Sequence, residues 1–188
     1  MPTRVVSALV VISVLSLSIT ASAAEVGTFS AGIAAGFGLP TNDGIEIGFA
    51  VGATGEYLVN QQATVGAEII YNSIGSEDLE NLGDEFGTNI SLLQVAGKLK
   101  YFTEGANQEG VFVIVRAGVF TYSVENTKGG ERTDETSTTD FGVGGGAGYQ
   151  LRLAEHLLIA VEGTFTTIFL GSDPLNLIGG TIGLSREF

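Results

Sequence analysis

The chain has 188 residues, enough for one domain, with 28 Gly, 44% apolar residues and only 15% charged ones. A net charge of −13 excludes a nucleic-acid binder, which needs a basic footprint, and the lack of Cys excludes disulfides and thiol chemistry. Beyond residue 20 every apolar run is too short for a transmembrane helix.

Residues 1–23 read as a secretory signal. Arg4 supplies the positive end, Val5 to Ile19 the apolar core, and Ala21-Ser22-Ala23 a small-x-small cleavage site. No Cys stands at that site, so the exported chain is not a lipoprotein. Residues 24–188 are then the mature domain.

Eight strand-like segments follow, all but the fifth with one apolar and one small or polar face. The first, Thr28 to Leu39, alternates Phe29, Ala31, Ile33, Ala35, Phe37 and Leu39 with Ser, Gly and Ala, and ends in the turn 40–44. The second, Ile45 to Val59, sets Ile47, Phe49, Val51 and Tyr57 against Glu46, Gly48, Thr54 and Glu56. After the tight connection 60–62, the third sets Val65, Ile69 and Tyr71 against Thr64, Glu68 and Asn72.

Residues 75–89 read as a long acidic loop holding Glu77, Asp78, Glu80, Asp84 and Glu85. Their spacing does not match an EF-hand, so a solvated surface loop is expected. A divalent cation bridging to lipopolysaccharide phosphates is the alternative. The fourth segment, Ile90 to Phe102, opposes Leu93, Val95, Leu99 and Tyr101 to Gln94, Lys98 and Lys100. The fifth, Val111 to Val124, is apolar on both parities, so Arg116 alone assigns its facing.

Residues 125–139 read as a second long polar loop, with a mobile Thr-rich run from Thr133 to Thr139. The sixth segment opposes Phe141, Val143, Tyr149 and Leu151 to Gly142, Gly144, Gly146, Gly148, Gln150 and Arg152. Its Gly-x-Gly-Gly-Gly-x-Gly run alternates through a strand and opens no helix, so it makes interior space rather than a phosphate loop. After the turn 154–156, the seventh segment opposes Leu157, Ile159, Val161, Phe165 and Phe169 to Ala160, Glu162, Thr164 and Thr166. The last runs from Leu177 to Phe188, with Ile178, Ile182, Leu184 and Phe188 on one parity and Glu187 on the other.

Segments of roughly ten residues are the length that a tilted strand needs to cross a bilayer. Short connections alternating with longer ones are the periplasmic turns and outer loops of a membrane barrel. The competing architecture is a soluble lipocalin-like barrel with its apolar parity inward. Two features decide against it. The polar parity carries only nine charged residues and is crowded with Gly, a poor exterior for water. The aromatics also fall at two heights: Phe29, Tyr57, Tyr101 and Tyr149 at one end, Phe37, Tyr71, Phe141 and Phe169 at the other. Two girdles mark a membrane barrel. The fold expected is an all-β, eight-stranded, antiparallel up-and-down transmembrane β-barrel.

The export signal, the alternation, the girdles and the terminal strand with Ile182, Leu184 and Phe188 resemble the small bacterial outer-membrane β-barrel superfamily. OmpA-type transmembrane domains and OmpX-like proteins belong to it. Arg186 departs from the family's closing strand, which prefers an apolar residue there. The resemblance implies an outer-membrane location, and a terminal strand read by the barrel insertion machinery after delivery by periplasmic chaperones. It also implies a free-standing, porin-family or outer-membrane-integrity barrel with no periplasmic peptidoglycan-binding domain. Contact with outer-membrane lipid and lipopolysaccharide is implied too, and a monomer is expected.

His156 is the only histidine and falls in a turn at the periplasmic mouth, where it reads as a surface residue. The enzymes of similar barrels use a histidine at the outer side, so no catalytic residue, cofactor or metal site is expected. The lumen is expected to be closed by ion pairs. Counting from the periplasmic turns groups Glu68, Lys98, Arg116 and Glu162 at one height, and Glu56, Lys100, Arg152 and Glu187 nearer the mouth. Glu46 shares their parity. A non-enzymatic barrel for envelope integrity or an unidentified surface ligand is the reading that follows. A narrow diffusion channel is the alternative, and a lipid-modifying enzyme the least favoured.

Overall fold

In a computed structural model, residues 26–41, 47–74, 86–103, 109–128, 131–171 and 174–188 are described, with backbone alone at 86–89, 126–128 and 131–135. The described residues form eight strands: β1 (Phe29–Pro40), β2 (Gly48–Asn60), β3 (Ala63–Ile74), β4 (Phe86–Phe102), β5 (Gly110–Lys128), β6 (Glu131–Ala154), β7 (Leu157–Ile168) and β8 (Leu175–Glu187). Each strand pairs antiparallel with the next, and β8 returns to β1, so the sheet closes into a barrel. This is the up-and-down transmembrane barrel that the alternation predicts. Closure matters because an open sheet edge in lipid leaves backbone N–H and C=O groups unpaired.

Tight turns connect β2 to β3 and β6 to β7. In the first, Asn60 Oδ1 accepts a bond from the Gln62 backbone N–H at 2.8 Å, the local bonding that lets Asn start a turn. The strands alternate as their sequences dictate. Phe49, Val95, Val115, Val143, Val161 and Ile182 are exposed on the outer, lipid-facing surface, while Ala50, Gln94, Arg116, Glu68 and Gln150 are buried inside.

One expected loop is not a loop. Residues 125–128 continue β5 and residues 131–139 belong to β6, and the two strands stay paired as far as Lys128 with Glu131. Above the membrane both faces of a hairpin are wet, so the apolar–polar contrast that marks a strand disappears. The β propensity of Thr remains and carries the pairing upward. Likewise β4 begins at Phe86, four residues before the expected Ile90. The secretion signal, residues 42–46 with Glu46 and most of the expected turn 40–44, and the five acids of the expected loop 75–89 lie outside the described residues.

The lumen is layered. At the outer end Ile74, Leu92, Phe120, Ile168, Leu175 and Leu177 pack together, none more than 5% exposed. At the periplasmic end Phe102, Phe112 and Ile114 form a second apolar cluster. Charged side chains fill the space between. Gly148 shows how tightly the wall is packed: a Cβ there would lie 2.4 Å from the Phe112 ring and 2.4 Å from the Val161 carbonyl oxygen.

Candidate functional site

The middle layer is a single network of three acids and three bases. Lys98 Nζ lies 2.8 Å from Glu56 Oε1, 3.6 Å from Glu162 Oε1 and 3.7 Å from Glu68 Oε2. Lys100 Nζ is 3.1 Å from Glu56 Oε1 and 3.5 Å from Glu162 Oε1. Arg116 reaches Glu68 through Nη1 at 3.0 Å and Glu162 through Nη2 at 3.8 Å. The formal charges cancel.

Neutral polar groups complete the layer. Gln94 donates to Glu68, and the Thr64 hydroxyl donates to Glu56 Oε2 at 3.2 Å. Lys100 also donates to Gln150 Oε1 at 3.2 Å and stands 4.5 Å from the centroid of the Phe112 ring. Burying six charges is tolerable because each faces at least two of opposite sign. The opposite wall makes room for them with Ala34, Thr54, Thr181, Gly183 and Ser185. A cavity of about 30 Å³ remains between the two sides, space for about two water molecules.

Residue counting along strands groups these side chains differently. Glu56 and Lys100, expected nearer the mouth, join the middle network. Strands are tilted and lysine stems are long, so distance from a turn does not fix the height of a charge. At the mouth Arg152 pairs instead with Glu187 and Glu109. Its Nη1 donates to the Glu187 carboxylate, its Nη2 to Glu187 Oε1 at 3.0 Å and its Nε to Glu109 Oε1 at 3.2 Å. The Glu155 carbonyl accepts a further bond from Nη1 at 2.7 Å. Arg152 thus ties β6 to the end of β8 and to the residue preceding β5.

The glycines of β6 make interior space for particular neighbours. Gly148 seats Phe112, Gly142 seats Phe120, and Gly144 lies against the Arg116 stem, where a Cβ would be 3.1 Å from Cγ.

Outside, Phe29, Tyr57, Tyr101 and Tyr149 are exposed at the end bearing the tight turns, and Phe37, Tyr71, Phe141 and Phe169 at the other. Phe141 and Phe169 stack with centroids 6.4 Å apart, and Phe29 packs on Phe188 at the same separation. Ile182 is exposed towards lipid, while Leu184 and Phe188 are half-buried in the terminal strand. The Phe188 backbone N–H donates to the Phe29 carbonyl at 2.8 Å, and the Arg186 guanidinium lies 5.8 Å from the Phe188 ring centroid. His156 sits in the β6–β7 turn, where its carbonyl accepts the Glu187 N–H at 2.9 Å. Among the described residues no group of His, Asp and Glu is arranged to hold a metal ion.

Three lumen features escape the sequence reading. The outer apolar cap is hidden because Leu92, Ile168 and Leu177 occupy the parity expected to be polar, and Phe120 lies on a segment that is apolar on both parities. Gln94 and Gln150 on that same parity are the available signal for neutral partners of the ion pairs. Glu109 precedes its strand and gives no periodic signal.

The sequence pattern of the outer membrane protein beta-barrel domain matches residues 7–188. Among solved structures the fold is similar to Ail, the attachment invasion locus protein of Yersinia pestis, with a TM-score of 0.61 and 12% identity over 87% of this chain and 100% of that one. A major outer membrane protein of Thermus thermophilus superposes with a TM-score of 0.58 and 13% identity, over 85% of this chain and 99% of that one. Neisserial surface protein A gives 0.55 and 15% identity, over 90% and 100%. Ail has also been solved in complex with the heparin analogue sucrose octasulfate. No curated protein sequence matches the chain.

Proposed function

Because the chain belongs to the outer membrane protein beta-barrel domain family and resides in the outer membrane, we propose that it works there as a closed, non-enzymatic barrel that acts through its outer surface and its contacts with lipid. The observation that carries this reading is the lumen. A neutral ionic layer is sealed from outside by Ile74, Leu92, Phe120, Ile168, Leu175 and Leu177, none more than 5% exposed. An ion entering from outside would have to pass this apolar layer and shed much of its hydration shell.

The outer loops give the surface its character. The sequence between β3 and β4 contributes five acids, and the chain as a whole carries a net charge of −13. A polyanion such as the one bound by Ail is therefore a poor match. A cationic surface ligand, or a divalent cation shared with lipopolysaccharide phosphates, fits better. Periplasmic chaperones and the insertion machinery, reading Phe188 and the strand that bears it, are the partners of assembly.

Planar-bilayer recording tests the sealed lumen. The purified barrel should insert with no steady conductance and run anomalously on SDS gels until heated. A large, stable open conductance overturns the sealed reading and establishes the narrow channel instead.

A further inference from the structure

The face that the barrel turns to the membrane changes character along single rows of the register. One row runs Phe37, Phe49, Ser73, Ser91, Ser123 and Ser137 from β1 to β6. The row beneath it runs Ala35, Val51, Tyr71, Leu93, Thr121 and Thr139. Strands in such barrels tilt by about 35–45° and lie about 4.8 Å apart, so a row climbs about 3 Å with each strand crossed. Both rows leave the apolar band as they cross β3 to β6. There β4, β5 and β6 run on, whereas β7 ends where Ile168 pairs with Gly142. A polar apron therefore begins at the outer girdle on one side of the barrel.

Its chemistry is specific. The Thr121 and Thr139 hydroxyls lie 2.9 Å apart, and the Ser123 hydroxyl donates to Ser137 Oγ at 3.3 Å. Ser137 and Thr139 are exposed, and Ser73, Ser91 and Ser123 are half-buried. No outward position of β3 to β6 between the girdle and Glu125 carries Lys or Arg, and Glu125 stands opposite Glu135 in the register. A phosphate headgroup calls for cations, and the hydroxyl rows themselves offer none. Sugar hydroxyls, which both donate and accept, match serine and threonine hydroxyls.

We infer that this apron binds the sugar headgroups of outer-leaflet glycolipid, the sugar hydroxyls bonding to Ser91, Ser123, Ser137, Thr121 and Thr139. The inference deepens the lipid contact proposed above and is independent of whether the lumen is sealed. The site continues the lipid-facing surface without a break, so a headgroup reaches it while its acyl chains stay beside Tyr71 and Leu93.

The test reconstitutes the full barrel in phosphatidylcholine vesicles doped with digalactosyl diacylglycerol or with phosphatidylglycerol. Lipids retained after mild extraction are then counted by native mass spectrometry. The galactolipid should be retained about tenfold over phosphatidylcholine, and the triple variant Ser91→Val, Ser123→Val, Ser137→Val should lose that preference. Valine keeps the strand propensity, and heat-modifiability reports whether the variant folds. Should it not fold, Ser137→Val alone, at an exposed position, should lower retention about threefold. Equal galactolipid retention by wild type and a folded variant overturns the inference. So does preferential retention of phosphatidylglycerol, which would make the surface a phosphate site. Conductance of the same vesicles reports on the sealed lumen separately.

Discussion

The middle and the outer end of the lumen are filled with opposite chemistries, and they depend on their residues in different ways. In the middle, Lys98, Lys100 and Arg116 share Glu56, Glu68 and Glu162, with side chains no more than 11% exposed. Each of these charges is stable only while its partners remain, because the barrel interior screens little. At the outer end Leu92, Phe120 and Ile168 are fully buried and contribute through the apolar area that they remove from water. The ionic layer should therefore behave as a unit, and the cap as a sum of volumes. That difference can be tested by substitution, and the largest effect is expected in the ionic layer.

Arg116→Ala removes the base nearest Glu68, whose Oε1 lies 3.0 Å from Nη1, and leaves the acids with two cations between three. The barrel should lose about 3–5 kcal/mol of unfolding free energy, measured by denaturant titration in detergent or lipid. Combining Arg116→Met with Glu68→Gln removes opposite charges together, so the pair should cost much less than the sum of the single changes. Strict additivity would break the comparison by showing the charges to be independent.

The cap should respond to volume alone. Leu92→Ala is expected to cost about 2–5 kcal/mol, and the volume-conserving Leu92→Met less than about 1.5 kcal/mol. No change of partner should rescue Leu92→Ala, whereas a partner change rescues Arg116→Met. A rise in bilayer conductance for Leu92→Ala and not for Arg116→Ala would further assign the seal to the cap.

These two layers are not equally legible in the sequence. Strand positions and facing follow from period-2 alternation, because a lipid-facing side chain must be apolar and a lumen-facing one must fit. The charges are visible for the same reason, as rare acids and bases on the small-residue parity. Their partners are not: Glu56 and Lys100 reach the middle by strand tilt and stem length, which residue counting ignores. The cap stays hidden because Leu92 and Ile168 are apolar residues on a face expected to be polar. In β5 both faces are apolar, so alternation there carries no information. The β5–β6 extension through Thr133 to Thr139 fails in the opposite way, since neither face needs to be apolar above the membrane.

The ionic layer also meets the apolar cluster on its periplasmic side, at Phe112, and the smallest expected effects lie there. Its ring packs edge-on against Phe102 at 5.5 Å and lies 4.5 Å from Lys100 Nζ, so the ring supports both the apolar cluster and a base of the network. Gly148 holds it in place, since a Cβ there would come within 2.4 Å of both the ring and the Val161 carbonyl. The carbonyl belongs to the β7 backbone and cannot swing aside, so the ring or the strand must shift. Gly148→Ala should therefore cost about 1–3 kcal/mol as an overpacked site. Phe112→Leu, which shortens the obstacle, should recover part of that in the double variant. Gly97→Ala is the control: it faces lipid, and the nearest atom to its Cβ would be the Ala117 carbonyl oxygen at 3.8 Å. It should change stability by no more than about 0.5 kcal/mol. If Gly148→Ala is as silent as Gly97→Ala, the Phe112 ring has room to move and the coupling between the ionic layer and the periplasmic cluster is absent.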